Sequence, residues 1–311
     1  MKNNIIKGFG IGAFMVLIPC FITFFMNGDK KVTQKDLIKA DTYILCQDNT
    51  GQIEKIDTES YLMGAIAAYL PEDCEDETYK VMAVILRTYL MKKLGTETEI
   101  EEGELTLSRL TVSEMEQAWG ENFSENYKRM KQAVNNTSGE IITYEETPIE
   151  AYFHDVSAGR TNTKEGVAYL QSVESEVDME AEGYLTLISY TAEEFWKVIE
   201  DTWGITWEDS EPYSVEAIKN KVVFIPEGEL YVKQVQIGEK TIEAEEFKQA
   251  FHLKSTAFFL EEYNGKLRLI IKGIGHGYGV SLYGANVYAM EGKNYKWILE
   301  KYYTNIVLSH E

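Results

Sequence analysis

The 311-residue chain is poor in the residues that cross-link, break or metallate a protein: three cysteines, five prolines and four histidines. Cys20 lies inside an apolar run, which leaves Cys46 and Cys74. Two cysteines make no disulfide framework and form no CxxC metal pattern, so they read as unpaired packed thiols, and neither metal nor cofactor is expected. Cationic residues are the minority, 30 Lys plus Arg against 51 Asp plus Glu, for a net charge of −21. That deficit excludes nucleic acid as a partner, because a basic face is needed to displace its counterions. It also excludes simple electrostatic capture of anionic polymers. Repeats and low-complexity tracts are absent too. What the chain does have is 44% apolar residues, 20 tyrosines and five tryptophans, enough for a sizeable core and for recognition through aromatic and hydrogen-bonding groups.

Only one long apolar run occurs, the 19 uncharged residues from Gly8 to Met26. At 1.5 Å per residue they span about 28 Å, close to the roughly 30 Å of a bilayer's hydrocarbon. Lys2 and Lys7 precede the run and Lys30 and Lys31 follow it, so the positive-inside bias is weak. No small-x-small cleavage pattern ends it, and Pro19 before Cys20 is wrong for lipoprotein processing. Residues 1–28 are therefore expected to be a retained signal anchor, residues 29–40 a polar tether, and residues 41–311 a domain outside the cytoplasm at the cell membrane.

The pattern beyond the tether alternates strands with helices, an α+β class with a β-rich part and helical side elements. Thr42–Cys46 and Gly51–Ile56 suggest a strand pair around the turn at 48–51. Tyr61–Ala68 starts a helix ended by Pro71, and Asp76–Lys92 forms a second with Tyr79, Met82, Ala83, Leu86, Tyr89 and Leu90 on one core face. Arg87 lies beside that stripe and is expected to be buried against an acidic partner. Glu97–Glu104 reads as a solvated loop. Ser113–Val134 reads as one helix with Ser113 and Glu116 as a capping box, and Thr191 with Glu194 repeats the motif before Ala192–Thr202, a lid or side subdomain. Glu140–Tyr144 and Ile149–His154 are expected strands, Val222–Phe259 is β-rich with a helix at Glu245–Ala250, and Leu267–Lys272 is a strand. Helices follow at Ser281–Glu291 and Tyr295–Tyr303.

Three blocks carry the chemistry. The last runs Gly273-Ile274-Gly275-His276-Gly277-Tyr278-Gly279-Val280-Ser281-Leu282-Tyr283-Gly284-Ala285, with glycine at every second position before Ser281; so much glycine suits a positive-φ loop and would weaken an ordinary strand. The first is Tyr61–Pro71 continuing to Arg87-Thr88-Tyr89. The middle runs from Ala133-Val134 through Pro148–His154 to Ser157-Ala158-Gly159-Arg160-Thr161. In order and spacing these blocks resemble the stage II sporulation protein D family, which includes the amidase enhancers of Gram-positive cell walls, from about Glu59 to Tyr303. The resemblance implies peptidoglycan glycan strands as substrate and lytic transglycosylase chemistry where the catalytic residues are intact. It also implies a setting in spore engulfment beside a cell-wall amidase and a membrane scaffold protein.

The chemical positions depart from the family's pattern. Aligned on Pro71 and Arg87, the family's proposed acid, a glutamate, is Tyr69 here, and a common glutamine becomes Met82. Val280 and Leu282 replace methionine and glutamine, Asp155 stands where a hydroxyl residue is common, and the cysteines that bind zinc in some members are missing. Glycoside cleavage needs a proton delivered to the leaving oxygen, and a phenol with a reference pKa near ~10 is a poor donor at neutral pH. Glu72, Asp73 and Asp155 are the carboxylic acids available instead; Glu72 and Asp73 after Pro71 equally suit the start of a helix. His154, Asp155, Ser157, Gly159, Thr161, His276, Gly277, Gly279, Ser281 and Tyr283 are the candidate glycan-binding residues, expected to converge with Tyr69, while Pro71 and Arg87 are structural. Three readings follow: a glycan-binding protein with weakened or lost lytic activity, an active divergent lytic transglycosylase, and a non-catalytic envelope scaffold.

Overall fold

The computed structural model describes residues 41–47, 51–207 and 212–310. The expected anchor and tether, and the tip of the first expected turn, lie outside these residues. Among the described residues no helix is long and apolar enough to cross a membrane.

Strands β1 (Tyr43–Gln47) and β2 (Ile53–Asp57) pair antiparallel, as expected. Asp57 then accepts the Ser60 amide at 3.0 Å and caps α1 (Thr58–Tyr69), which stops two residues before Pro71. Helix α2 (Asp76–Leu94) opens on Asp76 and Glu77 and closes on Lys92 and Lys93, charges that complement its dipole. It is buried nearly all round: Val81, Val84 and Ile85 are as inaccessible as Met82, Ala83 and Leu86. The expected single stripe is thus too narrow, because α1 and the segments Phe123–Asn136, Glu140–Tyr144, Leu282–Met290 and Tyr295–Tyr302 pack around this helix from several sides. An all-round apolar surface is what such a central position requires.

Two further expectations are corrected. Glu99–Glu101 is no loop: it is β3, parallel to β1, followed by a 3₁₀ turn at Glu102–Glu104. Backbone pairing with β1 outweighs the segment's acidic composition, and Lys55 bonds Glu99 at 2.5 Å across the sheet. Ser113 does not cap one long helix. Thr111 and Glu114 form the capping box of α3 (Val112–Trp119), Gly120 at φ +52° breaks the chain direction, and α4 (Phe123–Asn136) begins anew.

Strand β4 (Glu140–Tyr144) pairs with the short β5 (Thr147–Pro148). Beyond it only Phe153–His154 is extended enough to pair, as β6, so the strand expected over Ile149–His154 is cut to two residues. A second hydrophobic core follows. Its elements are β7 (Leu185–Tyr190), α5 (Ala192–Trp203), α6 (Val215–Lys221), β8 (Val222–Glu227), β9 (Tyr231–Ile237), β10 (Lys240–Glu243), α7 (Ala244–Ala250), β11 (Phe258–Tyr263) and β12 (Lys266–Lys272). The sheets β10-β9-β8 and β11-β12-β7 enclose an aromatic cluster in which Phe247 stacks on Phe251 at 4.3 Å and Phe195 meets Phe251 at 4.7 Å. The expected capping box at Thr191 and Glu194 starts α5.

The chain returns to the first core through the glycine loop. Strand β13 (Val280–Ser281) runs parallel to β6, pairing Val280 with Phe153 and Ser281 with His154. Helices α8 (Leu282–Met290) and α9 (Tyr295–Tyr302) pack on α2, and β14 (Val307–His310), which the sequence pattern did not suggest, closes the β14-β4-β5 sheet.

Candidate functional site: two histidines joined through one tyrosine

The middle and last blocks meet where β6 and β13 pair. Each glycine of the loop has positive φ. A Cβ at Gly279 would lie 1.9 Å from the Tyr152 carbonyl oxygen, and one at Gly277 would lie 2.3 Å from the Tyr231 ring. The glycines are needed for this close approach, and the space beside Gly277 and Gly279 is filled by protein.

The approach brings His154 and His276 together, their ring centroids 5.9 Å apart. Tyr278 links both through its backbone. Its carbonyl lies 3.1 Å from His154 Nδ1, and its amide donates to His276 Nδ1 at 3.0 Å. A carbonyl only accepts and an amide N–H only donates, so His154 carries its proton on Nδ1 and His276 on Nε2. Burial holds both rings neutral, pushing His154 down to about 4 and His276 down to about 3; the neighbouring His154 ring, Lys248 and Lys164 add to the depression at His276. His154 is only 3% exposed, and its Nε2 has no protein partner. Around His276 stand Tyr152, edge-on at 5.5 Å, and Tyr278, stacked at 5.3 Å. Lys164 Nζ donates to the Tyr152 hydroxyl at 2.8 Å, and the Tyr278 hydroxyl donates to Glu227 at 2.5 Å. Asn162 Nδ2 donates to the same Glu227 oxygen at 2.9 Å.

The other expected site residues divide by burial. Tyr69 ends α1 edge-on to Phe153 at 4.9 Å, beside the residue that precedes His154, and its hydroxyl accepts the Ser108 amide at 3.0 Å. Asp155 is exposed, and desolvation by the neighbouring protein raises its carboxyl above the usual aspartate value. Its carbonyl accepts the Tyr283 amide at 3.0 Å. Ser157, Thr161 and Ser281 are fully buried. Thr161 Oγ1 accepts the Val173 amide at 2.9 Å, and Gly159, at φ +96°, faces Met179 and Tyr184. Ser281 Oγ accepts the Gly284 amide at 3.2 Å and so caps α8. Glu72 accepts from Asn126 of α4 at 3.1 Å and Asp73 is exposed; the carbonyls of Pro71 and Glu72 are bonded by the Tyr79 hydroxyl at 3.3 and 2.9 Å.

Asp178 escaped the sequence reading. Fully buried, it accepts the Ser157 amide at 3.0 Å and the Ser281 hydroxyl at 2.8 Å, tying the middle block to the last. Burial raises its carboxyl, and the hydrogen bonds from both serines oppose the rise. No motif marks it, because it sits among the acidic residues of 174–182. Tyr152 and Tyr278 lay within the quoted blocks, but their aromatic character alone did not separate platform from core. Among the described residues no cluster of His, Cys, Asp or Glu has a metal-binding arrangement.

These features define a mixed α+β protein in which separated loops bring together a buried and a half-buried neutral histidine with flanking half-buried tyrosines. Residues 46–144 match the family model SpoIID, described as "Stage II sporulation protein". That range takes in the first block and ends before both histidines. Beyond it, the chain is 26% identical over 276 residues to stage II sporulation protein D of Bacillus amyloliquefaciens, covering 83% of this chain and 75% of the relative. It is 28% identical over 270 residues to stage II sporulation protein D of Bacillus subtilis, covering 83% and 76%. An uncharacterized protein of Brachyspira hyodysenteriae is 24% identical over 278 residues, covering 85% and 70%. The chain thus matches the stage II sporulation protein family model over residues 46–144, and its similarity to the D proteins extends over most of its length.

Proposed function

We propose that the protein binds and remodels the glycan strands of peptidoglycan during sporulation, with lytic transglycosylase activity weakened or lost. The relatives' names support the sporulation role. The reading of weakened activity rests on Tyr69: it packs against Phe153, next to His154, at the position where the family resemblance calls for a glutamate. A phenol there offers hydrogen bonding and an aromatic edge to a sugar but no acid of suitable strength. The neutral histidines and the tyrosines around them supply the polar and aromatic contacts that glycan recognition needs in a protein of net charge −21. A cell-wall amidase and a membrane scaffold are the partners this reading calls for, at the outer face of the cell membrane.

One observation favours an active enzyme as the second reading. Asp155 adjoins His154 and its carboxyl is raised above the aspartate norm, the direction a general acid needs. Glu72, bonded to Asn126 on α4, is the weaker candidate. Turnover of purified, denuded glycan strands by the full-length protein separates the readings, with anhydro-muramyl ends read by mass spectrometry. The expected result is binding without cleavage, and activity gained on Tyr69→Glu. Anhydro ends from the unaltered protein that disappear on Asp155→Asn would replace this proposal with the second reading.

A further inference from the structure

The hydrogen-bond roles around Tyr278 carry an inference about what the two histidines hold. Opposite tautomers are imposed by one residue: the Tyr278 carbonyl requires a proton on His154 Nδ1, and the Tyr278 amide requires a lone pair on His276 Nδ1. The remaining nitrogens are therefore unlike. His154 Nε2 is an acceptor and His276 Nε2 is a donor. No protein group bonds His154 Nε2 although the residue is almost wholly buried, and a buried acceptor left unpaired is costly enough to call for a partner. His276 is half-buried, and its Nε2 likewise has no hydrogen bond to protein among the described residues. The two rings are neighbours, their centroids 5.9 Å apart, so an unbonded acceptor and an unbonded donor belong to adjacent side chains.

We propose that His154 Nε2 and His276 Nε2 form an acceptor–donor clamp for the acetamido group of an N-acetylated sugar, His154 accepting from its N–H and His276 donating to its carbonyl. The inference rests on the glycan-binding reading and adds to it the sugar substituent that is read. A secondary amide matches the pair because its donor and acceptor are fixed on opposite sides of a planar unit. A sugar hydroxyl, able to play either role at one atom, has no need of two fixed and opposite tautomers. Tyr152 and Tyr278, packed against the His276 ring, supply apolar surface for the sugar and the acetyl methyl. Neutral rings suit this use, since a protonated His154 would lose its acceptor.

The test compares the full-length protein's binding of chitotetraose with that of cellotetraose, a neutral β-1,4 oligomer carrying hydroxyl in place of acetamido, by calorimetry. The variants are His154→Asn and His276→Asn. Asparagine's Nδ2 or Oδ1 replaces the imidazole Nδ1, so each variant keeps its bond to Tyr278 and loses only Nε2. The clamp predicts a preference for chitotetraose of tenfold or more, since a site built on paired polar groups rejects a ligand lacking them. Each asparagine variant should lose about tenfold in chitotetraose affinity, more than it loses for cellotetraose, so that the preference between the oligomers shrinks while its circular dichroism stays unchanged. Equal affinity for the two oligomers overturns the clamp while leaving glycan binding standing, and so does undiminished chitotetraose binding by both variants. Failure to bind either oligomer or purified glycan strands removes the glycan reading itself. Stoichiometric zinc retained by the unaltered protein and lost from His154→Asn would assign the nitrogen to a metal and also overturn the proposal.

Discussion

At the scale of single residues, the motif arginine shows how a sequence position becomes an architectural one. Arg87 is 1% exposed and bonds Glu59 through both arms of its fork, at 2.6 and 2.7 Å, while donating to the Glu140 carbonyl at 3.1 Å. Lysine cannot reproduce that planar geometry. Arg87→Met should cost roughly 3 kcal/mol, because it strands the Glu140 carbonyl and leaves Glu59 without its partner. Glu59→Gln should cost less, since the Glu59 side chain is 40% exposed and water replaces part of the lost interaction. Urea denaturation of the two variants measures the difference; equal losses would mean that the arginine's carbonyl bond contributes nothing. The burial of Arg87 with an acid was legible from its place beside a core stripe. Asp178 was not, because nothing in a run of acidic residues distinguishes the one that turns inward. Its role exists only once Ser157 and Ser281, 124 residues apart in the chain, have been brought together.

At the scale of elements, legibility followed how local the determining interaction is. Helices α1, α5, α8 and α9 could be placed to within a few residues because caps and apolar spacing act within one or two turns. Strands β3 and β14 could not, since each exists only by pairing with a strand formed far away in sequence. The break at Gly120 was hidden for a related reason: a single glycine is tolerated in many helices, and only packing decides. The glycine loop was legible as a loop, but which of its contacts are steric was not. Gly279→Ala places a Cβ at 1.9 Å from a backbone oxygen as well as at φ +68°. It should destabilise by roughly 3 kcal/mol or more. Gly292→Ala shares the left-handed backbone, at φ +83°, but meets nothing within 4 Å, and should cost about 1 kcal/mol. Thermal denaturation of the pair separates the steric component from the conformational one. Equal losses would mean that β6 and β13 can spread apart without penalty.

At the scale of the whole molecule, the same buried groups should make stability depend on pH, and the signs can be worked out. The folded pKa of His154, about 4, lies below the 6.5 of the free side chain. Between those values the unfolded chain binds more protons than the native one, so stability rises with pH through this window and is lost as pH falls through it. Below about pH 4 the loss has levelled off. His276 shifts in the same direction, but it is half-buried and solvent screens part of its contribution. Asp178 acts with the opposite sign. Its folded pKa is raised, so the native state binds the extra proton, and this group's penalty at neutral pH is relieved as pH falls through the folded value. The large negative charge adds a third influence, self-repulsion that weakens on acidification. Comparison with single variants isolates each group, because the common background cancels. Relative to His154→Asn, the unaltered protein should lose roughly 2.5 kcal/mol between pH 7.5 and 4.5. Relative to Asp178→Asn it should gain over the same interval. Urea denaturation of the three proteins at both values measures the two differences. Parallel pH profiles for the unaltered protein and His154→Asn would mean that His154 is charged, or open to solvent, in the native state, and the tautomer assignment through Tyr278 would fail with it.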